Sequence, residues 1–417
     1  MRAVSCAVAC ALVWLAPCLG PSAAALPSTA ALPSTVASPG SVAETIAPGV
    51  DYRAFTVPTT HGGARVYLVT VDLARPGVRA DLLNPGAVAD RLPVARMAED
   101  RGAVAAVNGD FFDISEEQHP GVQATGAASG PEIGDGRLLK SAVPYGQRFG
   151  LRPPGGDTDE DVVGVGADGR ARTARITLSG SIRSPHGTLP LRGLNQYALP
   201  EGSIGAFTSD WGTRSRERAV CGTDERRAAP CTTDVREVII HRGVVQSVAD
   251  EAGSGGIAPD STVLLGREAG ADALRSLTPG TPVEVDHRPV STTVVPFAFA
   301  LGGYPVLRRG VPLPDLDAVE ATPRSAVGIA SNGRLLRLLS TDGREGTSSG
   351  LTMAELGRLL QALGCTEAVY LDGGASATLA VRDPASGRVT VRNSLDHGLE
   401  RPVPNGIGIF SDSGHGG

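Results

Sequence analysis

Residues 370–381 read YLDGGASATLAV, an apolar strand that ends in small and acidic residues and resumes at once as a second apolar strand. A hairpin needs only a two-residue turn to reverse the chain. Here residues 372–376 separate the two strands, and none of them is bulky enough to cover the carboxylate of Asp372. Two interpretations stay open at this point: a loose turn, or a site where a ligand approaches the main chain closely.

The same pattern, an apolar strand that ends in polar and small residues, occurs at two other places. The strand AVAAV leads into Asn108 and Asp110, and the strand RLLRLLS leads into Asp342. Function is commonly found on loops that a rigid scaffold holds at strand ends. Arg324 stands at the start of a further strand, so we expect Asn108, Arg324, Asp342 and Asp372 to line one pocket at one edge of a sheet.

Strand signals dominate the chain. The β-branched runs RVYLVTVDL (65–73) and VREVIIH (235–241) are typical of strands, and the Asp-Gly or Asn-Gly pairs at 135–136, 168–169 and 332–333 are typical of two-residue hairpin turns. Helix signals are fewer. The pattern predicts an α+β fold with a mostly antiparallel or mixed β-sheet core, a few packed helices and catalytic loops at strand ends.

Two helices are predicted from their end signals. The first begins at Pro93, a residue suited to the first turn of a helix, and ends at Gly102. The second has Thr352 as its N-cap, Glu355 to complete a capping box, and Gly364 as its terminator.

Both ends of the chain differ in composition from the middle. Residues 1–25 have the basic, apolar and small-residue segments of a signal peptide, with cleavage expected near Ala25. Residues 26–49 are rich in Pro, Ser, Thr and Ala and predict a flexible linker. One domain is expected at 50–411 and a flexible tail at 412–417. No later stretch is long and apolar enough for a membrane span, so the sequence predicts a secreted, extracellular protein.

The charge and the cysteine content of the chain indicate which partners, disulfides and metal sites to expect. The net charge is −6, and no basic cluster interleaved with aromatic residues suggests a nucleic-acid partner. Cys221 and Cys231 are predicted to form a disulfide that closes an exposed insertion near 212–234, away from the catalytic loops. A zinc site is not expected there, because no Cys-x-x-Cys motif or paired histidine accompanies them. Cys365 is interpreted as a buried apolar residue.

Common hydrolase signatures do not fit. GASAT, residues 374–378, departs from G-x-S-x-G because Thr378 occupies the second glycine position. The histidines form neither H-x-H nor H-E-x-x-H, and the chain has no Walker-type loop.

Six motifs taken in chain order are more specific than any one of them: VNGDFF, LGGYPVL, PRSAVGI, STDGREGTSSGLT, YLDGGASATLAV and RPVPNGIGIF. Together they resemble the successive motifs of the phosphodiester glycosidase family, whose bacterial members are often described as exopolysaccharide-related. The resemblance covers roughly residues 100 to 411. Asp110, Tyr304 and Ala375 stand where the family more often has glycine, and Ser325 and Thr347 also depart from it. We expect the departures at Asp110, Tyr304 and Ala375 to affect the substrate more than the fold.

The resemblance implies a secreted glycosidase that cleaves the anomeric C1–O bond of a sugar-1-phosphodiester, such as a GlcNAc-1-phosphodiester, to free sugar and a phosphomonoester. It implies a catalytic role for Asp372, Asp342, Asp110 and Arg324, with Arg324 on the leaving phosphate and the aspartates' separate roles left open. It implies substrate contacts from Asn108, Gly109, Gly302, Gly303, Arg344, Ser348, Gly373, Gly374, Ser376 and Asn405.

Two other functions stay open: a non-catalytic module that binds cell-wall polysaccharide, and an O-glycosidase that acts on a phosphate-free glycan. No cofactor is expected to be required. Clustered aspartates and glycines would also suit Ca²⁺, so a calcium role is left open as well.

Overall fold

The computed structural model describes residues 43–150, 154–342 and 348–412. The first strands in chain order are β1 (Glu44–Ala47), β2 (Val50–Thr59), β3 (Gly62–Asp72), β4 (Val78–Leu83), β5 (Ala105–Asn108), β6 (Glu132–Gly134), β7 (Arg137–Lys140), β8 (Asp161–Gly166), β9 (Ala171–Ser184), β10 (Gly187–Leu191), β11 (Gly193–Leu194) and β12 (Ile204–Phe207). The later strands are β13 (Val235–His241), β14 (Val244–Ala249), β15 (Ser261–Arg267), β16 (Glu284–Ser291), β17 (Phe297–Gly302), β18 (Tyr304–Arg308), β19 (Val311–Pro312), β20 (Ser325–Ala330), β21 (Leu335–Thr341), β22 (Glu367–Tyr370), β23 (Leu379–Arg382), β24 (Val389–Val391) and β25 (Gly406–Ser411). The α-helices of these ranges are α1 (Val94–Arg101), α2 (Ala269–Leu274) and α3 (Met353–Ala362).

The strands of the described residues form four sheets. Sheet I has the order β1-β2-β3-β21-β20-β22-β18-β19, and sheet II has the order β24-β23-β5-β25-β4. Sheet III has the order β10-β9-β8-β17-β6-β7, with β16 also paired to β9, and sheet IV has the order β11-β12-β15-β13-β14. Neighbouring strands run antiparallel except β11 and β12, which are parallel. The predicted α+β fold with a mainly antiparallel core is therefore confirmed.

The end signals of the two predicted helices have the geometry that was expected. Gly102 closes α1 in the left-handed conformation, with φ of 71°. At α3, the Thr352 hydroxyl accepts from the Glu355 N–H while the Glu355 carboxylate accepts from the Thr352 N–H, so the capping box is complete. These caps satisfy main-chain groups that a helix end leaves without intrahelical partners.

One apolar core reaches all four sheets. Its buried members include Val69 and Val369 of sheet I, Val107 of sheet II, Phe299 of sheet III and Leu265 of sheet IV. The sheets therefore pack as parts of one interior, and their strand ends are held at fixed positions by that packing.

The start of the folded region corrects the expected linker boundary. Residues 44–47 were assigned to the linker, but they form β1 and pair with β2, for example Glu44 opposite Tyr52. The expected signal peptide, most of the linker and residues 413–417 of the tail lie outside the described residues. Within the described ranges, no helix has both the length and the apolar character needed to cross a bilayer.

The predicted disulfide between Cys221 and Cys231 is formed, with an S–S distance of 2.00 Å, and Cys365 is a buried free thiol. Residues 224–226 at the tip of the closed loop are exposed, as expected. Its base is not separate from the rest of the domain, however. The Gly146 N–H donates to the Asp224 carbonyl at 2.8 Å, so the loop supports the segment that precedes Arg148.

We predict that replacing Cys221 and Cys231 together by serine lowers the free energy of unfolding by roughly 2–3 kcal/mol, because the unfolded chain is no longer constrained by the closed loop. Urea unfolding with and without a thiol reductant measures this. The wild-type protein and a Cys365→Ala control should lose stability in reductant, whereas the double variant should not respond. Reductant sensitivity in the double variant would contradict the assignment.

Candidate active site

The side-chain amide of Asn108 joins the end of β5 to the loop that follows β22. Its Nδ2 donates to the Asp372 carbonyl at 2.7 Å, and its Oδ1 accepts from the Thr378 N–H at 3.0 Å. The Asp372 N–H in turn donates to the Gly109 carbonyl at 2.9 Å. Because Asn108 is fully buried, these bonds are shielded from water and fix the Asp372 loop to sheet II.

Asn405, which precedes β25, likewise joins two segments of the site by hydrogen bonds, on the other side of Gly109. Its Oδ1 accepts from the Asp110 N–H at 2.9 Å, and its carbonyl accepts from the Gly109 N–H at 2.9 Å. Its Nδ2 donates to Glu132 Oε1 at 2.7 Å. The predicted residues Asn108, Gly109, Asp110 and Asn405 are therefore brought together as a hydrogen-bonded unit.

Asp110 is a buried carboxylate with its two oxygens fixed by main-chain donors. Oδ1 accepts from the Phe111 N–H at 2.8 Å, and Oδ2 accepts from the Gly130 N–H at 2.6 Å. Burial raises the pKa of Asp110 to about 6, while the Gly130 N–H and the Lys140 ammonium oppose that rise. The group is thus positioned rigidly and can hold a negative charge near neutral pH.

Asp372 is the more accessible of the two acids, since its side chain is only partly buried. Burial nevertheless raises its pKa to about 7, and the nearby negative charge of Asp110 acts in the same direction. The Ser376 hydroxyl hydrogen-bonds its carboxylate, and the Arg401 charge also lowers the pKa. Arg401 Nη1 donates to Ser376 Oγ at 3.3 Å, so an arginine stands beside this partly buried acid.

Three buried charged residues of sheet III and its flanking loop also belong to the site. The sequence analysis did not identify them. Glu132, Lys140 and Asp159 are at most 4% exposed. Lys140, the only lysine of the chain, donates to the Ser141 carbonyl at 2.7 Å and also to the carbonyl of Gly130. Burial lowers its pKa to about 8, and the negative charges of Glu132, Asp110 and Asp159 oppose that shift. The three acids therefore lie around the Lys140 ammonium.

Glu132 and Asp159 are both shifted toward protonation. Burial raises the pKa of each to about 7, with Lys140 opposing the rise in both. Tyr304 donates its hydroxyl to Asp159 Oδ1 at 2.5 Å, and Arg148 Nε lies 3.2 Å from the same oxygen. Tyr304, noted in the sequence only as a departure from glycine, therefore has a definite role as a donor to a buried acid.

Arg324 is also buried, but its partners are groups of the protein that carry no charge. Nε donates to the Leu351 carbonyl at 2.9 Å, Nη2 to the Glu320 carbonyl at 2.8 Å, and Nη1 to the Tyr370 hydroxyl at 3.0 Å. The guanidinium thus ties three segments of sheet I and its loops together. Much of its donor capacity is used before any ligand arrives.

Asp342 lies next to Arg324 at the edge of sheet I, because the Thr341 N–H donates to the Arg324 carbonyl. The Asp342 carboxylate accepts from the Tyr67 hydroxyl at 2.8 Å and from the Ser394 N–H at 2.5 Å. Ser348 Oγ donates to the Asp342 carbonyl at 3.3 Å. Arg344, the remaining predicted contact of this loop, lies outside the described residues.

The glycines of the motifs serve close packing more than ligand access. A Cβ at Gly302 would overlap Asp110 Oδ2, and one at Gly303 would lie 2.5 Å from Val369 Cγ1. A Cβ at Gly373 would lie 2.7 Å from the Pro323 carbonyl oxygen. Gly374 differs from them, because it faces open space and has φ of 59°. It is the position in this loop where a ligand can approach the main chain.

No cluster of three or more His, Cys, Asp or Glu side chains in the described residues has an arrangement that could hold a metal ion. The arrangement as it stands offers two carboxyl groups of different accessibility and a neighbouring arginine. Glycosidases use pairs of carboxyl groups to protonate, activate water or stabilise an oxocarbenium-like transition state. The site therefore contains groups of the kind that glycosidases use.

Comparison with known proteins makes this class more specific. Residues 235–410 match the model of the phosphodiester glycosidase family. The resemblance drawn from the motifs is thereby confirmed over this part of the chain. The prophage-derived protein YomE of Bacillus subtilis is 37% identical over 87 residues, which are 21% of this chain and 12% of YomE.

Two solved structures share the fold over a longer range. A hypothetical protein of Synechocystis superposes with a TM-score of 0.67 at 20% identity, covering 90% of this chain and 64% of that one. A Burkholderia pseudomallei protein, named as an exported protein, superposes with a TM-score of 0.63 at 21% identity. The match covers 84% of this chain and 74% of the Burkholderia protein. The chain thus spans less than two thirds of the Synechocystis protein and a small part of YomE.

We predict that Gly302→Ala destabilises the protein by about 1–3 kcal/mol, because the added methyl group must displace the Asp110 carboxylate or the Gly130 main chain. Gly256→Ala is the matched control, since its Cβ would lie 3.9 Å from the nearest atom. Urea unfolding of both variants gives the comparison. Equal stability of the two variants would contradict the close packing described for Gly302.

We also predict that protein stability falls as pH rises from about 5 to 7. In this range the folded protein keeps a proton on Glu132, whose pKa is raised to about 7, whereas the unfolded chain has released it near its ordinary pKa of about 4.3. Glu132→Gln should remove up to about 1.4 kcal/mol per pH unit of that slope. Urea unfolding at pH 5, 6 and 7 measures the slope.

Glu251→Gln is the control for this comparison, because Glu251 is exposed. It should keep the wild-type slope. A Glu132→Gln variant whose slope equals that of wild type would show that Glu132 is ionised in the folded protein throughout this range.

Proposed function

We propose that this protein hydrolyses the anomeric C1–O bond of a sugar-1-phosphodiester and releases free sugar and a phosphomonoester. The proposal is supported chiefly by one observation: Asp372, a partly accessible acid with its pKa raised to about 7, lies near a buried acid and an arginine. It also belongs to the part of the chain, residues 235–410, that matches the phosphodiester glycosidase family. A GlcNAc-1-phosphodiester is the substrate we test first.

Asp372 acts in this proposal as the general base. Its ionised carboxylate takes a proton from water as the water oxygen forms a bond to C1. A base with a pKa near the working pH combines availability with proton affinity. The bond between C1 and the phosphate oxygen breaks at the same time, and its electron pair leaves with the phosphomonoester.

Asp110 supplies the second negative charge. As the leaving group departs, the sugar ring gains oxocarbenium character, which a fixed carboxylate stabilises electrostatically. The Phe111 and Gly130 N–H groups hold both Asp110 oxygens, so little reorganisation is needed during the reaction. We place Asp342 outside the bond-breaking step, because the Tyr67 hydroxyl and the Ser394 N–H occupy its carboxylate.

Arg401 is our proposed ligand for the leaving phosphate. It stands beside Ser376 and Asp372 and is only partly buried. Arg324, proposed for this role from the sequence, is instead assigned to positioning, because its guanidinium holds Leu351, Glu320 and Tyr370. Asn108 and Asn405 likewise position the loops, and Gly374 leaves room for the substrate.

We further propose secretion and action on carbohydrate outside the cell. The Cys221–Cys231 disulfide supports an oxidising compartment. No cofactor is proposed. A calcium-dependent enzyme would lose activity in a chelator and regain it with added Ca²⁺, so the assay below is run in both conditions.

We predict that kcat for a GlcNAc-1-phosphodiester rises with pH through about 7 in the wild-type protein, because only ionised Asp372 can accept the proton. Asp372→Asn should lower kcat by at least about 10²-fold and abolish this rising limb. Release of free sugar and phosphomonoester is measured from pH 5 to 9. Thr390→Ser, a conservative change at an exposed position of the edge strand β24, is the control and should keep the wild-type profile.

Three results would count against the proposal. Near-wild-type turnover by Asp372→Asn would leave Asp372 as a turn residue. Binding of the substrate without any turnover by the wild-type protein would favour the non-catalytic module. Faster hydrolysis of phosphate-free aryl glycosides than of phosphodiesters would favour an ordinary O-glycosidase.

A further inference from the structure

Three arginines from distant parts of the chain gather beside the proposed phosphate position. Leu92 and Val403 exchange main-chain hydrogen bonds, with N–O distances of 3.1 and 3.0 Å. This bridge joins the segment that carries Arg91 to the segment that carries Arg401, and the charge of Arg401 is close enough to repel that of Arg91. The segment around Arg91 is thereby fixed against the segment that carries the proposed phosphate ligand.

The segment that carries Arg91 is hydrogen-bonded to a second neighbouring segment as well. The Val88 N–H donates to the Asp210 carbonyl at 2.8 Å, and the Ala89 N–H donates to the Trp211 carbonyl at 3.0 Å. Trp211 Nε1 donates to the Arg214 carbonyl at 3.0 Å, which fixes the main chain of Arg214 next to this pair. Residues 88–92 are thus the middle of three segments, and each segment contributes one arginine.

Among the described residues, the positive charges of this group form no ion pair, although the Asp372 carboxylate lies near Arg401. None of the ion pairs there includes Arg91, Arg214 or Arg401. Burial lowers the pKa of Arg91, and repulsion from Arg214 and Arg401 adds to that effect, whereas Asp113 and Asp90 oppose it. All three arginines are partly buried, so like charges are held close together at a cost that a bound anion would offset.

Arg91 is held in place by packing. Its guanidinium lies 5.7 Å from the centre of the Phe112 ring, and a Cβ on Gly126 would lie 2.9 Å from its Nε. Such a stacked arginine loses little further side-chain freedom when it binds a phosphate. Phe112 belongs to the same loop as Asp110, which connects this arginine directly to the site.

We propose that Arg91 and Arg214 form a subsite for a second phosphate group on the alcohol part of the substrate, beyond the scissile phosphodiester at Arg401. The inference rests on the proposed function. The preferred substrate is then a sugar-1-phosphodiester whose alcohol carries a further phosphate, as at the end of a chain of repeating phosphodiesters. Two successive phosphates would meet arginines in the order in which the chain leaves Asp372.

The test compares two substrates that differ in this second charge: the methyl ester of GlcNAc-1-phosphate, and GlcNAc-1-phosphate esterified to glycerol that bears a terminal phosphate. We expect the wild-type protein to have the higher kcat/KM on the second substrate. Arg91→Gln and Arg214→Gln should each reduce that preference by about 10-fold, because each removes a charge-assisted hydrogen bond. The kcat/KM on the methyl ester should stay within about 2-fold of wild type.

Arg288→Gln is the control, since Arg288 is an exposed residue of the distant β16. It should keep the wild-type preference. Arg91→Lys retains the charge and should keep part of the preference, which separates loss of charge from loss of folding. An unchanged preference in both glutamine variants would overturn the proposed subsite, as would an equal loss on both substrates.

Binding of inorganic pyrophosphate distinguishes failure of the subsite from failure of the proposed hydrolysis. Calorimetric titration should show binding to wild type and to Arg288→Gln, and at least about 10-fold weaker binding to the Arg91→Gln, Arg214→Gln double variant. If neither ester is hydrolysed but pyrophosphate binding follows this pattern, the anion subsite stands and the hydrolysis proposal fails. If wild type does not bind pyrophosphate, the subsite is overturned whether or not the esters are hydrolysed.

Discussion

The buried amide of Asn108 is the contact on which the geometry of the site depends. It joins an N–H and a carbonyl group of the Asp372 loop to the end of β5, across a sequence separation of 264 residues to Asp372. An aspartate here would lose the donor, and a leucine would leave two buried main-chain groups unpaired, which is costly away from water. Sheets I and II therefore meet at this point with little freedom to slide, and Asp110 and Asp372 are held near one another.

The rest of the site follows from bringing acids together in a place that excludes water. Asp110, Glu132, Asp159 and Asp372 all have pKa values raised by burial to between about 6 and about 7. Lys140 opposes this shift in the first three. Such a group of acids reduces protein stability, because folding must desolvate each of them. It also places proton-exchanging groups close to neutral pH, which is where a hydrolase needs them.

Much of the scaffold could be predicted from the sequence, because hairpin turns and helix caps are encoded locally. The capping box of Thr352 and Glu355 and the two-residue turn at 135–136 need only neighbouring residues. The hairpins at 168–169 and 332–333 are also formed, but each has a four-residue connection in place of the predicted two-residue turn. Asn108 and Asp372 were predicted because they follow apolar strands, and Asn405 was predicted from the family resemblance alone. Glu132 and Lys140 escaped notice because they lie within short strands that look ordinary. These two residues reach the site only because sheet III packs against sheet II. The presence of a single lysine in the chain was the one sequence feature that could have drawn attention to Lys140.

Arg324 shows the other limit of sequence reasoning. A motif identifies an arginine but does not say whether its guanidinium faces a ligand or the protein, and here it donates to Leu351, Glu320 and Tyr370. Arg401 opens the motif RPVPNGIGIF but was not singled out there. Arg91 and Arg214 lie outside the motifs, and only the fold brings their segments to that of Arg401. Asp110 is buried, whereas Arg401 is only partly buried. In the proposed reaction the sugar and the phosphate therefore meet charges of opposite sign. The sugar's C1 is drawn toward Asp110 and Asp372 as positive charge develops there, while the departing phosphate is drawn toward Arg401. Both attractions strengthen as the bond breaks. The clustered charges that reduce the stability of the folded protein therefore stabilise the transition state more than they stabilise the bound substrate.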